Sequence, residues 1–340
     1  MKKKAFAALA AVSMMSMGLA GCSSSDSGSA DNSAADGAKS YNVGVVQLVQ
    51  HEALDAATEG FQEKLTELIE ADGATVTFDV QNAGGDSTNA ATIANGFVAN
   101  GVDLIMANAT PALQAAAAAT TEIPILGTSV TNYAAALDLE DGAKTTGVNI
   151  SGTADLAPLD EQAQMVMDLV PDAKKVGILY SSAEANSVYQ VETITPMLEE
   201  LGFEVKPYTI ADTNEIAAVT KTAVDEMDVL YIPTDNMVAS ATATVNEITE
   251  PAKMPIIAGE EGICTGAGVA TMTISYKELG EKTAQMAYDI LVGGEDPSTM
   301  EIQFADATKK AVVSRAEAFG LTVPEGYEEI TATEAKNAEE

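Results

Sequence analysis

The chain repeats a pattern of strands and helices, and that repetition limits its fold more than any single motif does. Val43-Gly44-Val45-Val46 is matched by Val176-Gly177-Ile178-Leu179, and Asp103-Leu104-Ile105-Met106-Ala107 by Asp228-Val229-Leu230-Tyr231-Ile232. Ile123-Pro124-Ile125-Leu126-Gly127 is answered by Met254-Pro255-Ile256-Ile257-Ala258-Gly259, so three landmarks recur in order at displacements of 133, 125 and 131 residues. Each landmark is a short apolar run of the kind that forms a buried strand, and helical spacing follows, as at Leu54, Phe61, Leu65 and Leu68. The first half reads as strand 41–49, helix 51–69, strand 75–80, helix 88–100, strand 102–107, helix 111–120 and strand 123–126. Such alternation builds parallel α/β sheets. Two copies predict two Rossmann-like parallel-sheet lobes.

Parallel sheets bind ligands in the loops at the carboxyl ends of their strands, so two facing lobes define a cleft. The chain continues past the second copy with a strand at 270–275, a helix at 276–291 and strands at 301–304 and 311–313. This tail is expected to cross between the lobes, with crossings near residues 147–152, 273–276 and 294–300. The first lobe would then hold residues 41–149 plus about 275–295, and the second residues 150–274 plus about 300–325.

The amino terminus carries an address. Lys2, Lys3 and Lys4 precede an uncharged, largely apolar run from Ala5 to Ala20, the order of a secretory signal peptide. The run is shorter than the roughly 20 apolar residues of a spanning helix. Leu19-Ala20-Gly21-Cys22 resembles a bacterial lipobox, which makes residues 1–21 a signal and Cys22 the site of lipid attachment. Residues 22–40, rich in Ser, Gly and Ala, read as a flexible lipid-anchored tether. The expected location is extracytoplasmic, at the membrane.

Losing residues 1–21 removes three lysines and no acid, so the formal charge moves from -34 to -37. That excludes nucleic acid as a natural partner. With Cys22 lipidated, Cys264 is the one remaining thiol and His51 the one histidine. Neither a disulfide nor a zinc cluster nor a Cys–His catalytic pair can be assembled from them. No Gly-x-Ser-x-Gly elbow or Walker phosphate loop is present. The expectation is a monomeric binding protein without metal or cofactor, not an enzyme.

The loops after the strands supply candidate ligand contacts. Thr110 precedes Pro111, the order of an N-cap before N1. Thr128-Ser129-Val130-Thr131 follows the fourth strand, Ser187 with Gln190 fits a capping box, and Asp235 stands after Pro233-Thr234. The single arginine, Arg315, lies in the tail, so a bound carboxylate would rely on Thr110, Ser129, Thr131 and backbone N–H groups at helix N-termini. Asp235 could take an ammonium group. These features describe a zwitterion site, with His51, Glu184 and Glu260 as further candidates at strand ends; capping alone accounts equally well for Thr110 and Ser187. On this reading Asp235→Ala weakens binding and leaves the fold intact.

Gln47-Leu48-Val49-Gln50-His51-Glu52-Ala53-Leu54-Asp55, Ala109-Thr110-Pro111-Ala112, Ser182-Ala183-Glu184-Ala185-Asn186-Ser187 and Pro233-Thr234-Asp235-Asn236 resemble signatures of the ABC transporter substrate-binding proteins of the tryptophan/tyrosine type. The resemblance spans residues 41 to about 320. It implies a type I periplasmic-binding-protein fold with a multi-crossover hinge, import through a separate ABC permease and ATPase, and an amino-acid ligand, aromatic in several members. It places Thr110, Ser129, Asn186, Ser187 and Asp235 on the zwitterion and His51 and Gln47 near its side chain. Asn132-Tyr133 stands where many relatives resemble Asp-Pro. A sugar or nucleoside receptor of the same fold is the alternative, disfavoured by 5% aromatic residues and no tryptophan.

Overall fold

The computed structural model describes residues 39–140 and 142–333. The signal segment, Cys22 and the tether as far as residue 38 lie outside the described residues. In chain order the first copy is β1 (Ser40–Gln47), α1 (Glu52–Ala71), β2 (Thr75–Asn82), α2 (Ser87–Asn100), β3 (Leu104–Asn108), α3 (Thr110–Ala119), β4 (Ile125–Val130), α4 (Tyr133–Leu137) and β5 (Ile150–Ala154). The second is α5 (Leu159–Leu169), β6 (Lys175–Ser181), α6 (Ala185–Glu200), β7 (Glu204–Ile210), α7 (Ile216–Glu226), β8 (Val229–Ile232), α8 (Asn236–Ala239), α9 (Thr242–Ala252), β9 (Ile256–Ala258), α10 (Glu261–Ala267) and β10 (Ala270–Ile274). The tail adds α11 (Tyr276–Leu291), β11 (Gln303–Phe304), β12 (Ala307–Ala311), α12 (Val313–Phe319) and β13 (Glu328–Glu329).

Two sheets result. The first runs β11-β5-β4-β3-β1-β2 and is parallel throughout; the second runs β13-β12-β10-β9-β8-β6-β7, with β12 antiparallel to β10. Central strands carry apolar residues on both faces because helices cover both. In β8, Val229 and Tyr231 join the core that contains α5 and α6, while Leu230 and Ile232 join the one that contains α7 and α10, as a two-residue period requires.

The duplicated glycines have one packing role in both lobes. A Cβ on Gly44 would lie 2.6 Å from the Phe97 ring, and one on Gly177 would lie 2.8 Å from Leu230 and Met227. In each case a neighbouring side chain settles onto the strand where one is missing. The motif that revealed the repeat is therefore a packing motif.

The crossings between sheets fall at residues 155–158, at Ser275 and at residues 305–306. The first differs from the expected 147–152, because β5 pairs with β4 and belongs to the first sheet. Gly152 had read as a break. It lies inside β5 at φ 142°, where a Cβ would lie 2.0 Å from the Gly127 carbonyl oxygen, so it is a close strand contact. The third crossing differs from 294–300: the chain turns after α11 and first adds β11 to the edge of the first sheet. Residues 303–304 thus sit with the first lobe, where the sequence had placed about 300–325 wholly in the second.

Candidate functional site

The carboxyl ends of β1, β3, β4 and β5 lie side by side. Gln47 is in register with Asn108, Asn108 with Thr128 and Val130 with Ala154. Along this edge the backbone is strained. Ala109 has φ 89° and ψ 156°, and Ser129 has φ 54°. The first is a region occupied almost only by glycine, costing on the order of 1–3 kcal/mol. Of the four described non-glycine residues at positive φ, the other two, Asp138 and Lys253, simply end helices.

Buried polar atoms normally find a partner, yet on this edge they do not. His51 Nδ1, Asn108 Oδ1, Thr110 Oγ1 and Ser129 Oγ are buried without one, and so is Asp155 Oδ1 just beyond β5. No side chain caps α3, whose N-terminus opens here. Thr110 is thus the first residue of the helix rather than its cap, which frees its hydroxyl. Two hydroxyls beside an uncapped helix N-terminus suit a carboxylate.

Asp155 was not singled out from the sequence. Its Oδ2 accepts from the Tyr276 hydroxyl at 3.0 Å, and burial pushes its carboxyl up to about 6 against the opposing pull of the Tyr276 and Thr131 hydroxyls. Asp155 lies on the first crossing and Tyr276 opens the helix after the second, so this pair joins two hinge segments. Asp155 follows β5, which was not among the strands read from the sequence.

The second lobe's edge is organised differently. Asp235 caps α8 by accepting from the Val238 N–H (2.9 Å), and it also accepts from the Ser181 N–H (2.6 Å) and the Ser187 hydroxyl (2.7 Å). Glu184 accepts from the Met237 and Asn236 N–H groups and from the Asn236 and Asn186 side-chain amides. Burial, followed by the charge of Asp235, pushes Glu184 up to about 7; burial raises Asp235 as well. Glu260 caps α10 through the Gly262 and Ile263 N–H groups, and burial pushes it up to about 7.

Several expected contacts are therefore committed elsewhere. Ser187 lies inside α6, not at a capping box, and donates to Asp235. The expected ammonium partner, Asp235, has three donors of its own lobe on its two oxygens. Gln47 bonds Asp55, Thr58 and the Val49 carbonyl. Thr128 bonds Thr153, which bonds Thr283 on α11, so its hydroxyl points into the core. Arg315 donates to the Cys264 and Gly268 carbonyls at the end of α10. Of the expected residues, His51, Thr110, Ser129 and Asn186 keep a buried polar atom without a partner.

The lobes meet. His51 Nε2 lies 3.2 Å from Asn236 Oδ1, the Thr265 hydroxyl donates to Glu52 at 3.4 Å, and α6 packs against α3 and α4. Asn186, on α6, contributes an unpartnered Oδ1 from the second lobe. A cavity of about 300 Å³ opens between the lobes, with Leu48, Val49 and Pro111 on one side and Glu184, Asn236 and Met237 on the other.

Comparison with known proteins accounts for this architecture. Residues 42–333 match the family model described as ABC transporter substrate binding protein. The chain is 37% identical over 303 residues to a tyrosine-binding protein of Clostridioides difficile (strain R20291), covering 86% of this chain and 88% of that one. It resembles a Streptococcus pneumonia ABC domain solved in complex with L-Trp, with TM-score 0.81, 31% identity and coverage of 86% and 100%. It also resembles the ligand-free, open structure of a substrate binding protein with adhesive properties from Clostridium difficile, with 34% identity, the same coverage and TM-score 0.64. The chain belongs to the ABC transporter substrate-binding protein family, with the two-lobed type I periplasmic-binding fold, and is an extracytoplasmic binding protein for a small molecule rather than an enzyme.

Proposed function

We propose that the protein is a monomeric lipoprotein, anchored through Cys22, that captures an aromatic amino acid between its lobes and delivers it to an ABC permease and its ATPase. The observation that carries the ligand class is the set of unpaired buried groups on one edge: hydroxyls at an uncapped helix for a carboxylate, and a bare carboxylate oxygen for an ammonium. Thr110 and Ser129 take the ligand carboxylate. Asp155 takes the ammonium, with Asn186 closing from the second lobe, while Glu184, Asp235, Ser187 and Glu260 hold that lobe's loops in shape. The tyrosine and tryptophan named for relatives support the aromatic class. Because Asp155 and Tyr276 sit on two crossings, an ammonium bound at Asp155 favours the closed arrangement of the hinge, and closure presents a joint surface to the permease.

Calorimetry with tryptophan, tryptamine and indole-3-propionate tests the zwitterion. Loss of either charged group should cost about 2–5 kcal/mol, or roughly 30-fold to several-thousand-fold in affinity. Equal binding of all three, or binding of sugars or nucleosides instead, would overturn the assignment. Cys22→Ser should release the protein from the membrane fraction; retention there would remove the anchor.

A further inference from the structure

His51 is the one histidine of the chain, and a chain of hydrogen bonds sets its tautomer. Three N–H groups converge on Glu184 Oε2: the Asn236 backbone at 3.2 Å, the Asn186 amide at 3.2 Å and the Asn236 side-chain amide at 2.5 Å. An oxygen so surrounded is an acceptor, so Asn236 turns its Nδ2 toward Glu184 and its Oδ1 toward His51. Asn236 Oδ1 can only accept, which places the proton of a neutral imidazole on Nε2. Nδ1 is left with a bare lone pair.

That lone pair is buried and has no partner. His51 is the N-cap residue of α1, yet its ring makes no capping bond to the helix. Asp55, whose charge acts on the ring, already accepts from Gln47. Burial, the largest influence on the ring, disfavours its charged form. His51 follows β1, at the same end of the first sheet as Thr110, Ser129 and Asp155, and its Nε2 contacts the second lobe.

We infer that His51 Nδ1 is a hydrogen-bond acceptor for the side chain of the bound ligand, and that it selects amino acids whose side chain carries an O–H or N–H donor, a phenol or an indole, over hydrocarbon side chains. The inference rests on the zwitterion reading of the cleft and adds the group that reads the ligand's far end. It assigns a division of labour: Thr110, Ser129 and Asp155 recognise what all amino acids share, and His51 recognises what distinguishes them. A site built around an acceptor penalises a ligand without the donor, because the acceptor then stays buried and unpaired.

The test uses the protein without a histidine tag, labelled with ¹⁵N-histidine, so that every ring nitrogen signal belongs to His51. The expected spectrum is that of the Nε2–H tautomer, with Nδ1 at the shift of an unprotonated nitrogen. Tyrosine or tryptophan should move the Nδ1 resonance toward that of a hydrogen-bonded acceptor, and phenylalanine should not. Calorimetry should show tyrosine or tryptophan binding about 100-fold more tightly than phenylalanine. His51→Gln keeps a group that can reach Asn236 and removes the Nδ1 position, and the ratio should collapse toward one.

An Nδ1–H tautomer, an unmoved Nδ1 resonance on tyrosine and tryptophan binding, or an unchanged ratio in His51→Gln would overturn the inference. Tight binding of all three amino acids alike would overturn it while leaving the zwitterion reading intact; failure of all three to bind would remove both.

Discussion

The two lobes are built from the same repeating unit and finish their binding edges in opposite ways. In the first lobe the strand ends carry unpaired polar groups and backbone held in unfavourable φ, at Ala109 and Ser129. In the second lobe, the Glu184 and Asp235 carboxylates are enclosed by N–H and O–H donors from their own loops. The difference lies in backbone strain and in how the carboxylates are satisfied, since unpaired buried polar atoms also occur in the second lobe, at Asn186 and Thr271. Asp155 after β5 and Asp235 after β8 are both acids beyond a strand's carboxyl end, and only their surroundings tell them apart.

Substituting one acid from each side is the sharpest way to break this comparison. Asp155→Asn should weaken amino-acid binding by about 2–5 kcal/mol without lowering the stability of the ligand-free protein, since it removes a buried charge that lacks a cation. Calorimetry and urea unfolding measure the two effects separately, and a loss of stability with affinity retained would reverse the roles. Asp235→Ala should do the opposite. It strands the Ser181 and Val238 N–H groups and the Ser187 hydroxyl, and should cost about 3 kcal/mol of stability, visible as a lowered urea midpoint. Normal stability with lost affinity would restore Asp235 to the ligand.

The pH dependence separates the lobes again. Asp155, Glu184 and Glu260 all have their carboxyls raised on folding, to about 6, 7 and 7. A raised carboxyl favours the folded state below its unfolded value near 4, and that contribution is lost as pH rises through the folded value. Ligand-free protein should therefore be less stable at pH 8 than at pH 5. Affinity should run the other way, because an ammonium needs Asp155 ionised: about tenfold tighter at pH 7.5 than at pH 5, and level above. In Asp155→Asn the affinity should lose its pH dependence while the stability keeps the part due to Glu184 and Glu260.

The smallest expected effect is at Ala109. Ala109→Gly relieves a conformation that alanine seldom adopts, and the gain is partly offset by the extra freedom of glycine in the unfolded chain. A net gain of about 1 kcal/mol or less in thermal unfolding is expected. A loss would mean that the strain at this edge is not real.

Much of the fold was legible because it is written in local pattern. The repeat of Val43-Gly44 at Val176-Gly177, and helices such as the one opening at Tyr276, depend on periodicity and on neighbours close in sequence. The crossings were harder. Gly152 and Gly294 look alike as breaks, but one is a contact inside a strand and the other follows a helix, and only strand pairing distinguishes them. At the site, Thr110, Ser129 and His51 were candidates from their places after strands and Asn186 through the family resemblance; Asp155 was not a candidate because β5 was not read as a strand.

The sequence by itself determined two parallel-sheet lobes, the polar strand ends that face each other and, through the resemblance of its motifs, the family. These follow from residue spacing, which survives in a list of letters. Tertiary structure decided which polar groups are free. Whether Asp235 or Asp155 has a carboxylate oxygen to spare depends on donors that include a helix residue 48 positions away in one case and a hinge-helix residue 121 positions away in the other. A hydrogen bond between distant segments is absent from local pattern, and it is those bonds that divide holding a loop from holding a ligand.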